Sequence, residues 1–298
     1  MNFKNALKVS FLEYKTYLKS LLYRIVLFVL FSTISYVLLK DFLNSVFSSN
    51  SLSALWKSVK DAFTQFAKGK GWTNGKIIAE NFKALLKVVF KQINENALNV
   101  CFAIISFIVL GTLNALSDVA ITNVFYNYMT SKTKCGFFSS MVRNFKKGIV
   151  YSIFYSLYNL LILVLLLFIS IGLIFALMNV LGFFIMPVVI LLFILAFSIK
   201  QRLIALVLPN MIANDANVFK SIKETKLENF FDVLIKYTIA YFSGITLNVL
   251  LFFFTFGAGS ILFFPLFSII VNVMGLTAYF ETHKQKYYLS DKEIYDPN

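Results

Sequence analysis

The feature that most constrains this chain is a series of six long apolar runs. A transmembrane helix needs about 20 mainly apolar residues to cross about 30 Å of hydrocarbon. The runs are 21–43, 97–129, 149–179, 183–208, 231–256 and 261–280. Hydrophobic residues make up 59% of the 298 residues and charged residues only 14%, so a water-soluble globule would expose too much apolar surface. The sequence therefore predicts an all-α, polytopic helical bundle in a membrane, and it excludes a soluble enzyme and a disordered chain.

The six spans predict one membrane domain, 1–298, with two regions outside the bundle. We expect an interfacial helix and the first span in 1–43, an external amphipathic hairpin in 44–96, the other five spans in 97–282 and a cytoplasmic tail in 283–298. The charged segment before the first span extends to Lys19, and no small-residue cleavage site follows the span. The first span therefore has the character of a retained helix rather than of a signal peptide.

Lysine and arginine residues predict the orientation, because they are in excess in cytoplasmic loops. Seventeen of them lie in the segments that six spans place on one side, 1–20, 131–148, 200–230 and 281–298. The loop 44–96 opposes this arrangement with eight lysines. Keeping that loop inside would require the first run to dip into the bilayer without crossing, and would export ten basic residues in short loops, which weigh more in this rule. We therefore expect both termini in the cytoplasm of the cell and the loop outside the cell membrane.

The spans pair into three helical hairpins, and a basic amphipathic segment precedes each hairpin. The segments are NFKNALKVSFLEYKTYLKS from Asn2, GFFSSMVRNFKKG from Gly136 and NVFKSIKETKLENFF from Asn217. In the first segment the apolar stripe consists of Phe3, Leu7, Phe11, Tyr14 and Leu18. Apolar residues at spacings of three and four, with lysines on another face, predict helices that lie in the headgroup layer. We call these three segments the lead helices.

The fourth and sixth spans share a second pattern. In both, a small residue precedes a proline by five positions, as in Gly182 to Pro187 and Ser260 to Pro265. Proline is tolerated in the first turn of a helix, so we expect both prolines there, after external turns at Gly182 and Gly257–Gly259. Coincidence among Phe-rich stretches is the alternative to a threefold repeat.

The loop 44–96 predicts two amphipathic helices, 52–67 and 76–93, joined by a turn at Asn74-Gly75. The apolar face of the first helix consists of Leu52, Leu55, Trp56, Val59, Phe63 and Phe66. The polar face of the second helix carries Lys76, Lys83, Lys87 and Lys91. These four lysines, the lysine stripe, are candidate contacts for anionic lipid or cell-wall polymer. The alternatives are plain packing of the apolar faces on lipid or on the bundle, and binding of a partner protein.

Charged residues at membrane depth are costly and usually functional or paired. Asp118 follows about twenty apolar residues of the second span, Arg202 interrupts the fourth, and Lys236 lies near the start of the fifth. We predict an intramembrane ion pair of Asp118 with Arg202 or Lys236, near the cytoplasmic mouth of the bundle. Separate solvation at the interface is the alternative. Arg24 is expected to lie at a span end and to snorkel to the headgroups.

Residues for catalysis or metal binding are scarce. The chain has one histidine, His283, and two cysteines, Cys101 and Cys135, which do not make a metal-ligand cluster. No H-E-x-x-H, G-x-S-x-G or phosphate-loop motif is present. The sequence therefore predicts no enzyme activity, no metal and no other cofactor. The excess of lysine on the cytoplasmic side of a membrane protein explains the positive charge without a nucleic-acid partner. The expected partners are membrane lipids, and another membrane protein or a second copy of this chain.

Two stretches resemble YesL-like bacterial membrane proteins, in which a span leads into a basic, Phe-containing amphipathic helix. They are LNALSDVAITNVFYNYMTSKTKCGFFSSMVRNFKKGIVYSIFY from Leu113 and LVLPNMIANDANVFKSIKETKLENFFDVLIKY from Leu206. The likeness covers about 97–282, and 44–96 departs from it as an insertion. The resemblance implies a bacterial inner-membrane protein in a family sometimes linked to sugar uptake. It carries over no site residues.

Two functions remain open. The first is a non-catalytic membrane scaffold or an accessory subunit of an envelope or uptake system. The alternative is a transporter or channel for a small solute or lipid, which would need a polar path at mid-membrane. The main polar residues near the span centres are Asn159, Asn248, Asn272, Ser106, Ser170, Ser243, Thr246 and Ser268. Because the rest of these centres is Leu, Ile, Val and Phe, the sequence favours the scaffold or accessory role.

Overall fold

The computed structural model describes residues 3–68, 75–181, 185–225, 230–290 and 292–296. Within these residues the chain forms twelve helices and one short β-hairpin. The helices are α1 Phe3–Leu12, α2 Tyr14–Phe47, α3 Asn50–Ala67, α4 Gly75–Glu95, α5 Ala97–Ser131, α6 Phe137–Arg143, α7 Phe145–Leu181, α8 Ile185–Ile204, α9 Val207–Ala213, α10 Val218–Lys223, α11 Phe230–Phe254 and α12 Ala258–Thr282. The strands are β1 Tyr287–Tyr288 and β2 Ile294–Tyr295.

Six helical segments of the described chain are long and apolar enough to cross a membrane. They are Tyr14–Phe47, Ala97–Ser131, Phe145–Leu177, Ile185–Ala213, Phe230–Phe254 and Ala258–Thr282. The shortest have 25 residues, which at 1.5 Å per residue is about 37 Å, longer than the hydrocarbon thickness of about 30 Å. The prediction of an all-α, six-span membrane bundle is confirmed.

The fourth span is interrupted at Ala205 and Leu206, between α8 and α9. The cause is Pro209, the third residue of α9. Its ring lacks the N–H that would bond the carbonyl of Ala205, four residues earlier, and would collide with that carbonyl in a continuous helix. The chain therefore turns at this point, and the Ala205 carbonyl faces Gly275 of α12, where a β-carbon would approach its oxygen to 2.8 Å.

The chain divides into two compact units. The first comprises Met1–Phe28, Leu110–Tyr158 and Ile194–Asn298, and the second comprises Val29–Val109 and Asn159–Phe193. Each unit collects residues from several spans, so neither unit is a continuous segment of sequence.

The core of the first unit forms around the C-terminal half of α12. Ile269, Val273, Met274 and Phe280 of α12 are buried there together with residues of α1, α5, α6 and α11. Helix α1 packs on α12 through Ala6, which is fully buried. Small side chains on α1 allow this close approach, because they add little bulk between the two helix axes.

The first lead helix therefore differs from its prediction. Its buried face consists of Asn5, Ala6, Val9 and Ser10. The larger apolar residues Phe11, Tyr14 and Leu18 are exposed, and the helix is broken at Glu13 between α1 and α2. The reason is contact with α12 and the C-terminal tail, where Asn5 donates a hydrogen bond to the Tyr287 hydroxyl at 3.2 Å. Helical periodicity alone does not predict which face of a helix its neighbour will cover.

The three lead helices share one burial pattern, in which two residues three positions apart are buried. These pairs are Ala6 and Val9 in α1, Phe137 and Ser140 in α6, and Val218 and Ser221 in α10. In α10 the side chain of Asn217 caps the helix by accepting from the backbone N–H of Lys220 at 2.8 Å. This pattern agrees with a repeat, and it is also usual for any helix that is covered on one face.

A second mark of repetition follows the even-numbered spans. Just after each of α5, α9 and α12 the chain passes through a left-handed residue, with φ of 57° at Lys132, 49° at Asp215 and 51° at Lys284. A left-handed residue at this position is a common way to end a helix. Glycine or asparagine is the usual residue at such a position. Because these three residues are lysine and aspartate, their types did not predict the turns.

The two prolines of the return spans differ in position. Pro187 is the third residue of α8 as described, within the predicted first turn. Pro265 is the eighth residue of α12 and lies inside the helix, so the prediction of a first-turn position is wrong for it. The helix begins earlier than expected because Gly257, with φ of 90°, provides its left-handed N-cap and Gly259 is already helical. The predicted turn at Gly182 lies outside the described residues.

In the second unit, α3 and α4 pack together as the predicted hairpin. Ala62 of α3 and Ile78 of α4 are buried, with Leu55, Val59 and Ile174 against them. Trp56 is 72% exposed and Phe63 is also exposed, so only part of the predicted apolar face of α3 is covered. All four members of the lysine stripe are exposed. The predicted turn at Asn74 lies outside the described residues, and Gly75 begins α4.

The C-terminal tail has structure that the sequence did not predict. Strands β1 and β2 pair antiparallel, with Tyr287 opposite Tyr295. Tyr287 is buried, and its ring stacks on Phe280 at a centroid distance of 5.3 Å. Burial raises the pKa of the Tyr287 hydroxyl well above its ordinary value. An ion pair between Lys8 and Glu293 further links α1 to the tail.

Candidate functional site

A cluster of polar and charged side chains is centred on Asp118 of α5. One carboxylate oxygen, Oδ1, accepts three hydrogen bonds: from Arg24 Nη2 at 2.7 Å, from Ser268 Oγ at 2.8 Å and from Asn272 Nδ2 at 2.8 Å. The side chains of Asp118 and Arg24 are only 17% and 16% exposed. Three donors on one oxygen satisfy its capacity for hydrogen bonds at a place that is largely shielded from water. The cluster therefore joins three spans, α2, α5 and α12, through one charge.

Arg24 is held in a fixed orientation by a second contact. Its Nε and Nη2 atoms both donate to the hydroxyl oxygen of Ser117, at 3.1 and 2.8 Å. Ser117 in turn donates to the backbone carbonyl of Asn114 at 2.7 Å. The preceding residue, Tyr23, also bonds to α5: its hydroxyl donates to the backbone carbonyl of Leu113 at 3.1 Å. The planar guanidinium is thus oriented before any ligand arrives.

The predicted partners of Asp118 have other neighbours. Lys236 lies 2.5 Å from Asp232, one helical turn earlier on α11. Arg202 is 1% exposed, and its guanidinium lies over the ring of Phe230 at 5.4 Å from the centroid. The cation that contacts Asp118 is Arg24, which is not one of the partners predicted from the sequence.

From the sequence, Arg24 was assigned to the end of a span, and it was therefore not considered as a partner of Asp118. In the structure, Arg24 is the eleventh residue of the 34-residue helix α2, with three helical turns before it. The polar segment that precedes Arg24 continues the same helix, so the start of the apolar run is not the start of the helix. The signal available in the sequence was the helical continuity of 14–47, which no proline or glycine interrupts.

The partners of Asp118 on α12 lie near the middle of that helix. Ser268 and Asn272 are its eleventh and fifteenth residues out of 25, and both belong to the mid-span polar residues named from the sequence. Asn272 is one turn after Ser268, so both side chains point to the same side of α12. A charged pair against the central turns of a span is costly unless it serves a function or is well paired.

A cleft of about 330 Å³ adjoins this cluster. The residues that line it are Arg24, Ile25 and Phe28 of α2, Asn114 of α5, and Ser260, Ile261, Phe264 and Pro265 of α12. Its volume lies at the lower end of the range of about 300–1,000 Å³ that is typical of ligand pockets. Mostly apolar walls with a few oriented polar groups are the usual composition of such a pocket.

Two polar groups of the cleft have lost their usual partners. Ser260 is 8% exposed, and its hydroxyl has no hydrogen-bond partner among the described residues. The carbonyl of Ile261 lacks its helical donor, because the residue four positions later is Pro265 and proline has no N–H. Buried polar groups without partners are costly, so the Ser260 hydroxyl in particular is available to a molecule in the cleft.

A second cationic region lies in the first unit. Lys200 is 5% exposed, and its ammonium lies 5.1 Å from the ring centroid of Tyr155 and 5.2 Å from that of Phe197. These distances allow cation–π attraction. Together with Arg202 over Phe230, Lys200 places two positive charges among aromatic rings of α7, α8 and α11.

An exposed ion pair links two lead-helix regions of the first unit. Lys147 of α7 donates to the carboxylate of Asp215, and to its backbone carbonyl at 2.8 Å. The hydrogen bond from Lys147, with its positive charge, lowers the pKa of the Asp215 carboxyl from the ordinary value of 3.8. Because Asp215 carries the left-handed φ after α9, this contact fixes the turn that precedes α10.

Among the described residues, no group of three His, Cys, Asp or Glu side chains lies close enough to hold a metal ion. Both cysteines are free thiols, Cys101 exposed and Cys135 half-buried. Comparison with known proteins gave no match to this chain from family models, curated proteins or solved structures. The charged cleft beside α12 is therefore interpreted from its own geometry.

Proposed function

We propose that this integral membrane protein is a non-catalytic carrier of a small solute or lipid in a bacterial cell membrane, with both termini in the cytoplasm. The observation that supports a carrier is the Arg24–Asp118 pair against Ser268 and Asn272 in the middle of α12. Transporters place charged groups at this depth in spans where a substrate must be bound. The resemblance to YesL-like proteins, in a family sometimes linked to uptake, agrees with this proposal.

Of the two functions that the sequence left open, the geometry favours the carrier over the scaffold. The sequence favoured a scaffold because the mid-span polar residues were few and scattered. Ser268 and Asn272 instead converge on one carboxylate, and a cleft opens beside it. A purely structural role would be served as well by an apolar contact, since replacing a buried ion pair by well-packed apolar residues is often neutral or stabilising.

The scaffold or accessory role remains the second candidate because of the α3–α4 hairpin. Its exposed surface combines large apolar residues such as Trp56 and Phe90 with the lysine stripe. Aromatic residues beside basic ones are typical of protein-binding and membrane-binding surfaces. Under this candidate, Lys76, Lys83, Lys87 and Lys91 would contact an anionic lipid, a cell-wall polymer or a partner protein.

The carrier is tested in cells that lack the chain and express either the wild-type protein or Asp118→Asn. Untargeted mass spectrometry of cell extracts and medium compares their small molecules and lipids. We expect at least one compound to change severalfold between wild-type and deficient cells, and Asp118→Asn to resemble the deficient cells. Asp215→Asn is the matched control, because it removes an exposed carboxylate from an ion pair outside the cleft, and it should resemble wild type.

The outcome that overturns the carrier is a folded Asp118→Asn protein, present at wild-type level, whose cells have the wild-type profile. The second candidate gains support if a protein co-purifies in fixed stoichiometry and is lost when the four lysines of the lysine stripe are changed to glutamine. Folding of each variant is checked by thermal unfolding in mild detergent.

A further inference from the structure

We propose that the cleft beside Arg24 binds a single-chain lipid with an anionic head group, which enters sideways from the bilayer. This inference rests on the proposed carrier function and names its substrate class. The head group would lie at Arg24 and the chain along the apolar wall formed by Ile25, Phe28, Ile261 and Phe264.

The charge of the head group follows from the donors in the cleft. Arg24 uses Nε and Nη2 in its contacts with Ser117 and Asp118, and its Nη1 has no partner among the described residues. The Ser260 hydroxyl and the amide of Asn114 can also donate. Of the residues that line the cleft, Arg24 is the one that carries a charge, and a carboxylate or phosphate would pair with its remaining N–H donors.

Asp118 does not cancel this preference. The negative charge of its Oδ1 is shared by donors from Ser268 and Asn272 as well as by Arg24. Arg24 lines the cleft and Asp118 does not, so an anion in the cleft would meet the guanidinium and not the carboxylate. A fork of N–H donors suits bidentate binding of such an anion.

The apolar walls and the volume determine the rest of the ligand. Five of the lining residues are Ile, Phe or Pro, so most of the ligand surface must be apolar. A cavity of about 330 Å³ is small for a ligand pocket and suits one hydrocarbon chain rather than the two chains of a phospholipid. A small hydrophilic anion would leave these walls uncovered.

The open side of the cleft indicates how the ligand arrives. Phe28, Ile261 and Phe264 are 57%, 48% and 59% exposed, and all three belong to membrane-spanning segments. Exposed apolar side chains in a span face acyl chains rather than water. Access is therefore from the bilayer, where single-chain lipids are dissolved, and the polar groups lie at the inner end of an apolar entrance.

The test uses the purified full-length chain in lipid nanodiscs and a photoactivatable analogue of palmitic acid. Mass spectrometry maps the labelled peptides. We expect labelling near 25–28 and 261–265, with competition by palmitate at least tenfold stronger than by hexadecanol, which has no charge, or by acetate, which has no chain. Equal competition by hexadecanol overturns the anionic head group, and competition by acetate alone indicates a water-soluble anion instead.

Two variants probe the cleft from both ends. Ser260→Leu fills its volume and Arg24→Gln removes its cation, and each should reduce specific labelling at least tenfold. Their matched controls are Ser139→Leu and Arg143→Gln on α6, whose residues are exposed and outside the cleft. Unchanged labelling in a folded Ser260→Leu protein overturns the site, even if Arg24→Gln fails to fold.

The results also separate this inference from the carrier function. If Asp118→Asn alters the small-molecule profile of cells but the purified protein takes no palmitate label, the carrier stands and the lipid substrate is wrong. If the cleft is labelled as expected and Asp118→Asn leaves the cell profile unchanged, the lipid is bound without being carried, and the proposed function is wrong.

Discussion

At the scale of single residues, the contact between Arg24 and Asp118 has a measurable coupling. We expect Arg24→Gln and Asp118→Asn each to lower the free energy of unfolding by about 3 kcal/mol, because each leaves a nearly buried charge without its partner. The double variant should be less destabilised than the sum by about 1–2 kcal/mol. Thermal or denaturant unfolding in detergent measures all four proteins.

Lys236 is the control for this double-mutant comparison of Arg24 and Asp118. Its partner Asp232 is one turn away on the same helix, and the Asp232 side chain is more than half exposed. Pairs of this kind contribute about 0.3–0.5 kcal/mol, so Lys236→Gln should change stability little and should show no coupling to Asp118→Asn. A coupling above about 1 kcal/mol between Asp118 and Lys236 would favour the partner predicted from the sequence and contradict the one in the structure.

The exposed pair of Lys147 and Asp215 predicts a pH dependence. The pKa of Asp215 is lowered in the folded protein by its hydrogen bond with Lys147, so the pair stabilises the fold above the ordinary, unfolded pKa of 3.8. This contribution is lost as pH falls through the lower, folded pKa. Melting temperatures of wild type and Asp215→Asn should differ slightly at pH 7 and converge below about pH 4; a difference that grows on acidification contradicts the assignment.

Residue types near the span centres could be read from the sequence, but their partners could not. Asn272 and Ser268 stand out in apolar surroundings, and Asp118 stands out by its charge. Their convergence depends on how α5 and α12 are rotated about their axes, which no local pattern records. Arg24 was missed for a related reason, since the boundary of an apolar run is not the boundary of a helix.

At the scale of the elements, the packing of α12 on the turn after α8 depends on a residue without a side chain. A β-carbon at Gly275 would lie 2.8 Å from the backbone oxygen of Ala205, and backbone cannot rotate away as a side chain can. We expect Gly275→Ala to destabilise the protein by about 1–3 kcal/mol. Unfolding in detergent measures the change.

Gly172 of α7 is the matched control for this substitution. No atom lies within 4 Å of a β-carbon built there, and alanine is the better helix former by about 1 kcal/mol in water. Gly172→Ala should therefore be neutral or slightly stabilising. If both variants behave alike, the close approach of α12 to Ala205 has no part in stability.

The elements themselves were largely predictable, and their contacts were not. Apolar runs long enough to cross a bilayer gave the six spans, and helical periodicity gave α3 and α4. The covered face of α1 was misassigned because Ala6 and Val9 carry a weaker hydrophobic signal than Phe11 and Leu18, although small residues pack more closely. The β-hairpin of the tail was missed because strands of two residues are too short for an alternating pattern.

At the scale of the whole molecule, orientation rests on the count of lysine and arginine, and labelling can test it. Position 256 lies in the turn between α11 and α12 and is 98% exposed, whereas position 142 lies on α6 and is 75% exposed. Phe256→Cys and Val142→Cys are each made in a chain whose Cys101 and Cys135 are replaced by serine. The two thiols are predicted to lie on opposite sides of the membrane, and both positions are well exposed.

We expect a membrane-impermeant maleimide on intact cells to label Phe256→Cys and to leave Val142→Cys unlabelled until the membrane is permeabilised. A third variant, Lys87→Cys in the lysine stripe, decides the side of the α3–α4 hairpin, whose eight-lysine loop opposes the positive-inside rule. Labelling on intact cells places the hairpin outside, as six full crossings require. Protection of Lys87→Cys together with labelling of Val142→Cys would mean that the first apolar run does not cross the bilayer. The ends of the remaining spans would then be exchanged between the two sides.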